Sequence, residues 1–354
     1  MATSVSIFDD LAAAGRDAGD RLSRAAQPHL FDRLDWFRLV QDHTPDGEPL
    51  VIKVRNGVAS CWLFLSAKGG YAEGLTNWYC LRYGPVVDGP AEKAPVGDFV
   101  KGLRQAGISH VYLSPVAEDD RIAAEFRRRG WATARGQVNV SWRIETRGMS
   151  FDQYWEGRPS RLRNTVNRRA KKANLETRIL DRFDEAAWAD YEIVYNNSWK
   201  PNEGSPALIR KLAEQEGDAG TLRLGLAYHE GKPVASQLWL VEHGVATIHK
   251  LAYREDAREL SPGSILSRDM FRYALDVDHV DMIDFGIGND PYKAEWMTHS
   301  VPLYGVTAYD LLRPAGVLGV ARSVLKKLFA RLGGRQDEED RRFGGRPRPA
   351  SAGA

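Results

Sequence analysis

Gly244-Val-Ala-Thr-Ile-His-Lys-Leu-Ala-Tyr253, Arg254-Glu-Asp-Ala-Arg-Glu-Leu260, Ser261-Pro262-Gly263-Ser264 and the run from Ile265 to Trp296 decide the fold. Residues 245–253 alternate as a strand. Residues 265–275 have the spacing of a helix, and Val280 to Phe285 reads as a second strand ending in Gly286-Ile-Gly-Asn-Asp-Pro-Tyr-Lys293. Ser261 suits an N-cap and Pro262 the first helical position. A helix that starts just after a strand offers unpaired N–H groups and a positive dipole end to an anion such as a pyrophosphate.

Outward from this stretch the chain is ordinary in bulk. Its 354 residues suffice for two domains, 43% are hydrophobic, 27% are charged, and the net charge is +2. That balance does not announce a nucleic-acid binder. Cys61 and Cys80 lie in apolar runs and read as buried thiols of a reducing compartment. Residues 1–27 lack the apolar core of a secretory signal, and no apolar run reaches the roughly 20 residues of a bilayer span. These features point to a cytoplasmic protein. No cysteine or histidine spacing suggests a metal, and no Walker or Rossmann glycine pattern follows a strand.

Taken in order, residues 1–27 read as a flexible N-terminal arm. Residues 28–146 read as a first half of mixed α and β structure, with a hairpin turning at Asn56-Gly57. Residues 147–313 form a second half that opens with a capping box, Ser150 and Gln153. A helix over 159–173 follows, carrying Arg161, Arg163, Arg168, Arg169, Lys171 and Lys172. It is a solvated face or a surface for an anionic partner. Three meander strands turn at Glu230-Gly231 and His243-Gly244 and lead into the deciding stretch. The fold class is α+β: two halves, each a mostly antiparallel sheet flanked by helices. Residues 314–354 read as a basic amphipathic helix over 317–332, either packed on the protein or docked at the inner membrane face, and a disordered tail.

Several segments together resemble a known family: Arg158-Pro-Ser-Arg-Leu-Arg-Asn-Thr-Val-Asn-Arg-Arg169, Gly231-Lys-Pro-Val-Ala-Ser-Gln-Leu238, Ser261-Pro-Gly-Ser-Ile-Leu266 and Asp284-Phe-Gly-Ile-Gly-Asn-Asp-Pro-Tyr-Lys293. They are similar to the CelD-type, cellulose-biosynthesis-associated branch of the GNAT acyltransferase superfamily, itself similar to the Fem-type peptidyltransferases. The resemblance covers about residues 28–312 and implies two tandem GNAT-like halves. It also implies transfer of an acyl group from acetyl-CoA or another acyl-CoA, without a metal, to an amine. An amino sugar or a polysaccharide or envelope precursor is the expected acceptor. The usual pyrophosphate loop has closely spaced glycines, whereas Arg254 to Ser264 holds only Gly263. Fem-type relatives also lack the full loop and use aminoacyl-tRNA, so a tRNA donor stands as the alternative. An inactive scaffold of a polysaccharide assembly system is the second.

Amide formation from a thioester needs a neutral amine, a stabilised oxyanion and a protonated leaving thiolate. Arg254, Arg258, Ser261, Gly263 and Ser264 are the candidate cofactor-binding residues. Backbone N–H groups near Lys250 to Ala252 are the candidate oxyanion donors. His249 reads as the base that deprotonates the amine or as a hydrogen-bonded histidine of a sheet face. Glu203, beside Trp199 and Lys200 in a loop, binds or deprotonates the amine or is a solvated glutamate. Tyr292 is placed like the phenol that protonates the thiolate in many GNAT enzymes. Lys293 resembles the Fem-type lysine that steadies charge, and it equally suits a phosphate. Asp284, in an apolar strand, is expected to be paired.

Overall fold

The computed structural model describes residues 3–43, 46–117 and 121–333, with the side chains of 327–333 excepted; the tail expected to be disordered lies outside them. The chain divides into two compact units, residues 1–138 with 304–354, and 139–303. It passes between them within two long strands.

In the first unit, β1 (Ser4–Phe8), α1 (Leu11–Ala18), α2 (Leu34–His43), β2 (Glu48–Arg55), β3 (Ser60–Lys68), β4 (Tyr71–Gly74), β5 (Val86–Asp88), α3 (Phe99–Gln105), β6 (His110–Val116), α4 (Ile122–Arg128) and the start of β7 (Trp131–Glu145) follow one another. The sheet order is β1-β2-β3-β4-β6, with β5 beside β3. All pairs are antiparallel except β4 with β6. The hairpin at Asn56 forms as expected, its side chain accepting from the N–H groups of Val58 and Ala59. The residues read as a flexible arm instead carry β1 and α1. Asp10 caps α1 through the N–H groups of Ala12 and Ala13, Leu11 and Ala14 are buried, and β1 adds a strand to β2. Short apolar positions between charges hid this packing in the sequence.

The second unit runs from the end of β7 through α5 (Phe151–Glu156), α6 (Ser160–Ala173), β8 (Glu176–Leu180), α7 (Glu185–Asn196), α8 (Pro206–Asp218), β9 (Leu222–His229), β10 (Lys232–Glu242), β11 (Val245–Tyr253), α9 (Pro262–Asp276), β12 (Met282–Ile287) and α10 (Lys293–Trp296). Its sheet order is β7-β12-β11-β10-β9-β8, antiparallel apart from β11 with β12. Glu230 and Gly231, like His243 and Gly244, have left-handed φ angles, the conformation that lets a two-residue turn follow the strand twist. The Ser150–Gln153 capping box is present. Behind the sheet, Tyr154 stacks on Phe271 with ring centroids 5.0 Å apart, and Trp239 meets Phe271 edge-on at 5.3 Å. This cluster fixes α9 and α5 against β10 and leaves the ends of β11 and β12 to the loops.

The chain returns to the first unit in β13 (His299–Asp310), whose residues from Tyr304 pair antiparallel with β6, and ends its described part in α11 (Pro314–Gly333). The last strand of the expected second half thus completes the first sheet. Asp310 is fully buried and accepts from Arg104 at 2.8 and 2.9 Å. Burial pushes its carboxyl up, but Arg104 and the Leu312 N–H outweigh this and hold it below the usual range. A depressed folded-state value gives stability that is present at neutral pH and lost as pH falls through the carboxylate range. Asp310→Asn is expected to cost about 2–3 kcal/mol at neutral pH and to soften the acid-side loss, read from thermal unfolding at several pH values.

Candidate active site

The site begins where two parallel strands part. β11 and β12 pair at Val245, Ala246 and Thr247 with Met282, Ile283 and Asp284, and no further. Beyond that point each strand is bent away by its own irregularity. Opposite β10, Leu238 faces Lys250 and Trp239 faces Ile248, so His249 is the extra residue of a bulge. In β12 the register with β7 shifts between Asp284 and Ile287, and Gly286 and Gly288 both have positive φ. The bulge ends the strict alternation expected along β11, so His249 and Lys250 do not simply face opposite sides. Asp284 is paired as expected, with Ser141, Arg143 and the Gly286 N–H, at 2.7, 2.9 and 2.8 Å. It thereby fixes the start of the divergence.

Lys293 stands over the parted end. The chain leaving β12 closes into α10, which carries Lys293 inward. Only 5% exposed, it donates to the Ile287 carbonyl at 2.8 Å and the Phe285 carbonyl at 3.3 Å. A Cβ on Gly288 would lie 3.0 Å from Lys293 Nζ and 3.1 Å from Asp290 Oδ2, so glycine leaves room for both groups. Burial pushes the Lys293 ammonium down to about 8, against the pull of Asp290 and Asp284. Tyr292, its neighbour, sets its ring edge-on to Phe285 at 5.7 Å. It is 42% exposed, yet it lies deep enough beside Asp290 and Tyr253 that burial pushes its phenol up.

The loop between α7 and α8 brings Trp199, Lys200 and Glu203 to the same place. Glu203 binds Lys250 at 2.9 Å, and both side chains are about nine-tenths buried. Glu203 is therefore an ion-pair partner and not the solvated glutamate of the simpler reading. Lys200 lies over the Trp199 ring, and burial together with the charges of Lys250 and Lys293 pushes it down to about 8. His249 is pushed down to about 3 by burial and the Lys250 charge, so its imidazole is neutral at physiological pH. Three lysines thus share this space with Glu203 and Asp290, leaving one positive charge in excess when all are ionised. Sequence reading missed Lys200, Lys250 and Asp290. Lys200 sat beside Glu203 in the sequence, but nothing in a linear chain shows that residues 50 and 93 positions away press on its charge.

The turn into α9 completes the site. Ser261 occupies the N-cap position with φ 52°, and its side chain makes no capping bond, contrary to expectation. Pro262 holds the first helical position, and the first turn contains no acidic residue to compete for an anion. Gly263 lies against the Tyr253 ring, where a Cβ would come within 3.0 Å. Tyr253 in turn packs on Trp199 with centroids 4.2 Å apart, linking the α9 turn to the lysine loop. Arg258 is exposed and Ser264 half-buried. Arg254 is held by Asp256 at 2.6 and 3.0 Å, so its guanidinium already has a carboxylate partner. α6 packs alongside, with Arg169 donating to the Glu259 carbonyl at 2.8 Å. Among the described residues, none of the six basic side chains of α6 forms an ion pair with a carboxylate. An uncapped helix start beside so much positive charge fits a phosphate-bearing carrier through α9 and Arg258 more than through Arg254.

Residues 160–294 match the family model described as an acetyltransferase (GNAT) domain, a span that contains every site residue above. The second unit therefore carries a GNAT-fold domain of the acyltransferase class. The chain is similar in fold to the C-terminal domain of a protein described as a putative lysylphosphatidylglycerol synthetase from Agrobacterium fabrum, at 15% identity, covering 91% of this chain and 97% of that one with a TM-score of 0.55. FemX matches at 14% identity over 80% of this chain and 96% of its own, TM-score 0.54. A conserved protein of Bacteroides thetaiotaomicron matches at 12% identity over 86% and 100%, TM-score 0.55. No curated protein matches the sequence. The CelD-type branch is not singled out by these similarities.

Lys293 and Lys200 carry a stability signature. A folded-state value depressed from 10.5 to about 8 means that folding disfavours the charge. The resulting penalty is present below about 8 and disappears above 10.5, so stability rises with pH through that window. Lys293→Met is expected to flatten this rise, measured as the melting temperature between those two pH values.

Proposed function

We propose that the second unit transfers an acyl group from a coenzyme A thioester to a primary amine between the parted ends of β11 and β12. The observation that carries the reading is the lysine cluster facing that gap. An environment that pushes two lysine ammoniums down to about 8 disfavours any further ammonium among them. An acceptor amine bound there sheds its proton near neutral pH for the same reason. Lys200, near 8, is matched to receive that proton; His249, near 3, is too weak a base for the task. Lys293 supplies positive charge where the carbonyl oxygen gains negative charge, together with strand N–H groups freed beyond the last β11–β12 pair. Tyr292, a phenol held protonated, is the donor to the departing sulfur. Glu203 keeps Lys250 in place and offers a carboxylate to the acceptor's amine. Ser261, Gly263, Ser264 and Arg258 would hold the carrier's pyrophosphate; the carrier itself supplies the activated acyl group.

The acceptor class we favour is an amino sugar or an amine-bearing envelope or polysaccharide precursor. One fold neighbour is described by the name of a lipid that bears lysine, which supports an amine-to-envelope theme. The uncompensated cations of α6 favour one second reading, in which the acyl group arrives on tRNA.

Thiol release from acetyl-CoA with a panel of primary amines tests the reaction. The rate is expected to rise with pH to about 8 and to fall above it, because the active Lys200 is the neutral one and the active Lys293 the charged one. Lys200→Met is expected to lower the rate at pH 7 by about a hundredfold and to remove the rise towards pH 8, with a melting temperature at pH 7 no lower than that of the wild type. A pH-independent rate would refute the assignment. For the carrier, wild-type protein is expected to melt higher with acetyl-CoA or CoA. Gly263→Val, which drives a side chain into Tyr253, should abolish that shift. A shift with tRNA and none with CoA would favour the second reading.

A further inference from the structure

The described helix α11 sits on the protein the wrong way round for a helix that completes a core. Its small residues face inward. Gly316 is buried so closely that a Cβ would meet the Asp310 carbonyl oxygen at 2.0 Å, and a Cβ on Gly319 would meet the Tyr309 ring at 2.6 Å. Glycine at these positions lets the helix lie directly on the end of β13. Val320 and Ser323 on the same side are half-buried. The large apolar side chains point the other way: Val317, Leu318, Val324 and Leu325 are between 48% and 57% exposed, and Leu312 just before the helix is 73% exposed.

The sequence around that face is one-signed. Residues 311–333 hold no aspartate or glutamate, while Arg322 and Lys326 border the apolar arc and are exposed. No described helix is long and apolar enough to cross a membrane. An exposed apolar stripe bordered by the cations Arg322 and Lys326 and by no anion matches a bilayer surface carrying negative headgroups: the apolar side chains enter the acyl boundary and the cations meet the phosphates.

We infer that α11 docks the protein on an anionic lipid surface through Leu318, Val324 and Leu325, with Arg322 and Lys326 against the headgroups. Binding through one such helix is reversible.

The test is co-sedimentation of the full chain with vesicles of phosphatidylglycerol and phosphatidylcholine in equal parts, and with phosphatidylcholine alone. Wild type is expected to sediment with the first and not the second. Leu318→Asp/Leu325→Asp is expected to lose binding at least about tenfold while keeping its melting temperature, since both side chains are exposed. Arg322→Glu/Lys326→Glu is expected to lose about tenfold or more, with a reduced dependence on salt. Three results would overturn the inference: no sedimentation of wild type; sedimentation that survives in the leucine variant, which would assign the attraction to the cations of α6; or a wild-type dimer in solution that the leucine variant splits, which would make a second copy the occupant.

Discussion

The second unit depends on the parting of β11 from β12. A parallel ladder that stops after three residue pairs leaves backbone donors and acceptors without strand partners, and buried groups of that kind must be satisfied elsewhere. The protein does this with a charge. Lys293 reaches back from α10 to the carbonyls of Phe285 and Ile287, and the glycine backbones at 286 and 288 bend β12 so that it can. The gap is kept open because its carbonyls are bound by an ammonium and not by β11. On the proposed reading, the same ammonium supplies positive charge to the oxygen of a bound acyl group. On that reading Lys293 couples pH to stability and to rate alike.

Around that atom the electrostatics follow from crowding like charges in a poorly solvated space. Lys200, Lys250 and Lys293 come from a loop, a strand and a short helix, and only Lys250 has a close carboxylate partner in Glu203. Holding these charges together costs stability, and the cost appears as depressed lysine values near 8. For an acceptor amine the same cost is useful, because it favours the neutral, nucleophilic form. The stack of Trp199, Tyr253 and Gly263 ties this lysine loop to the start of α9, so the acceptor and carrier sides of the proposed reaction are held by one line of packed groups.

Much of this was legible beforehand. The alternating pattern of 245–253, the Ser-Pro-Gly turn and the periodic helix behind it gave β11 and α9, the elements that frame the candidate site. Glu230-Gly231 and His243-Gly244 announced the hairpins because a left-handed two-residue turn has few other solutions. What stayed hidden depended on three-dimensional neighbours. The bulge at His249 arises from pairing with β10, and no local residue choice marks it. Arg254 looked free for a phosphate but is claimed by Asp256 two residues on. The first 27 residues looked like an arm because their few buried positions, Leu11, Ala14, Ala18, Leu22 and Gln27, are scattered among charges and exposed alanines. Helix α11 was recognisable as amphipathic; the direction of its apolar face was not, because Gly316 and Gly319 decide it through their contact with β13.

The account rests on the gap beyond Thr247 and Asp284 being the place where a thioester is held beside Lys293. A crystal structure of the protein with acetyl-CoA measures this most directly. The account predicts the pyrophosphate at the N–H groups of Gly263 and Ser264, and the thioester between β11 and β12 within reach of Lys293. Acetyl-CoA bound in full at another surface, with the gap between the strands empty, would contradict it.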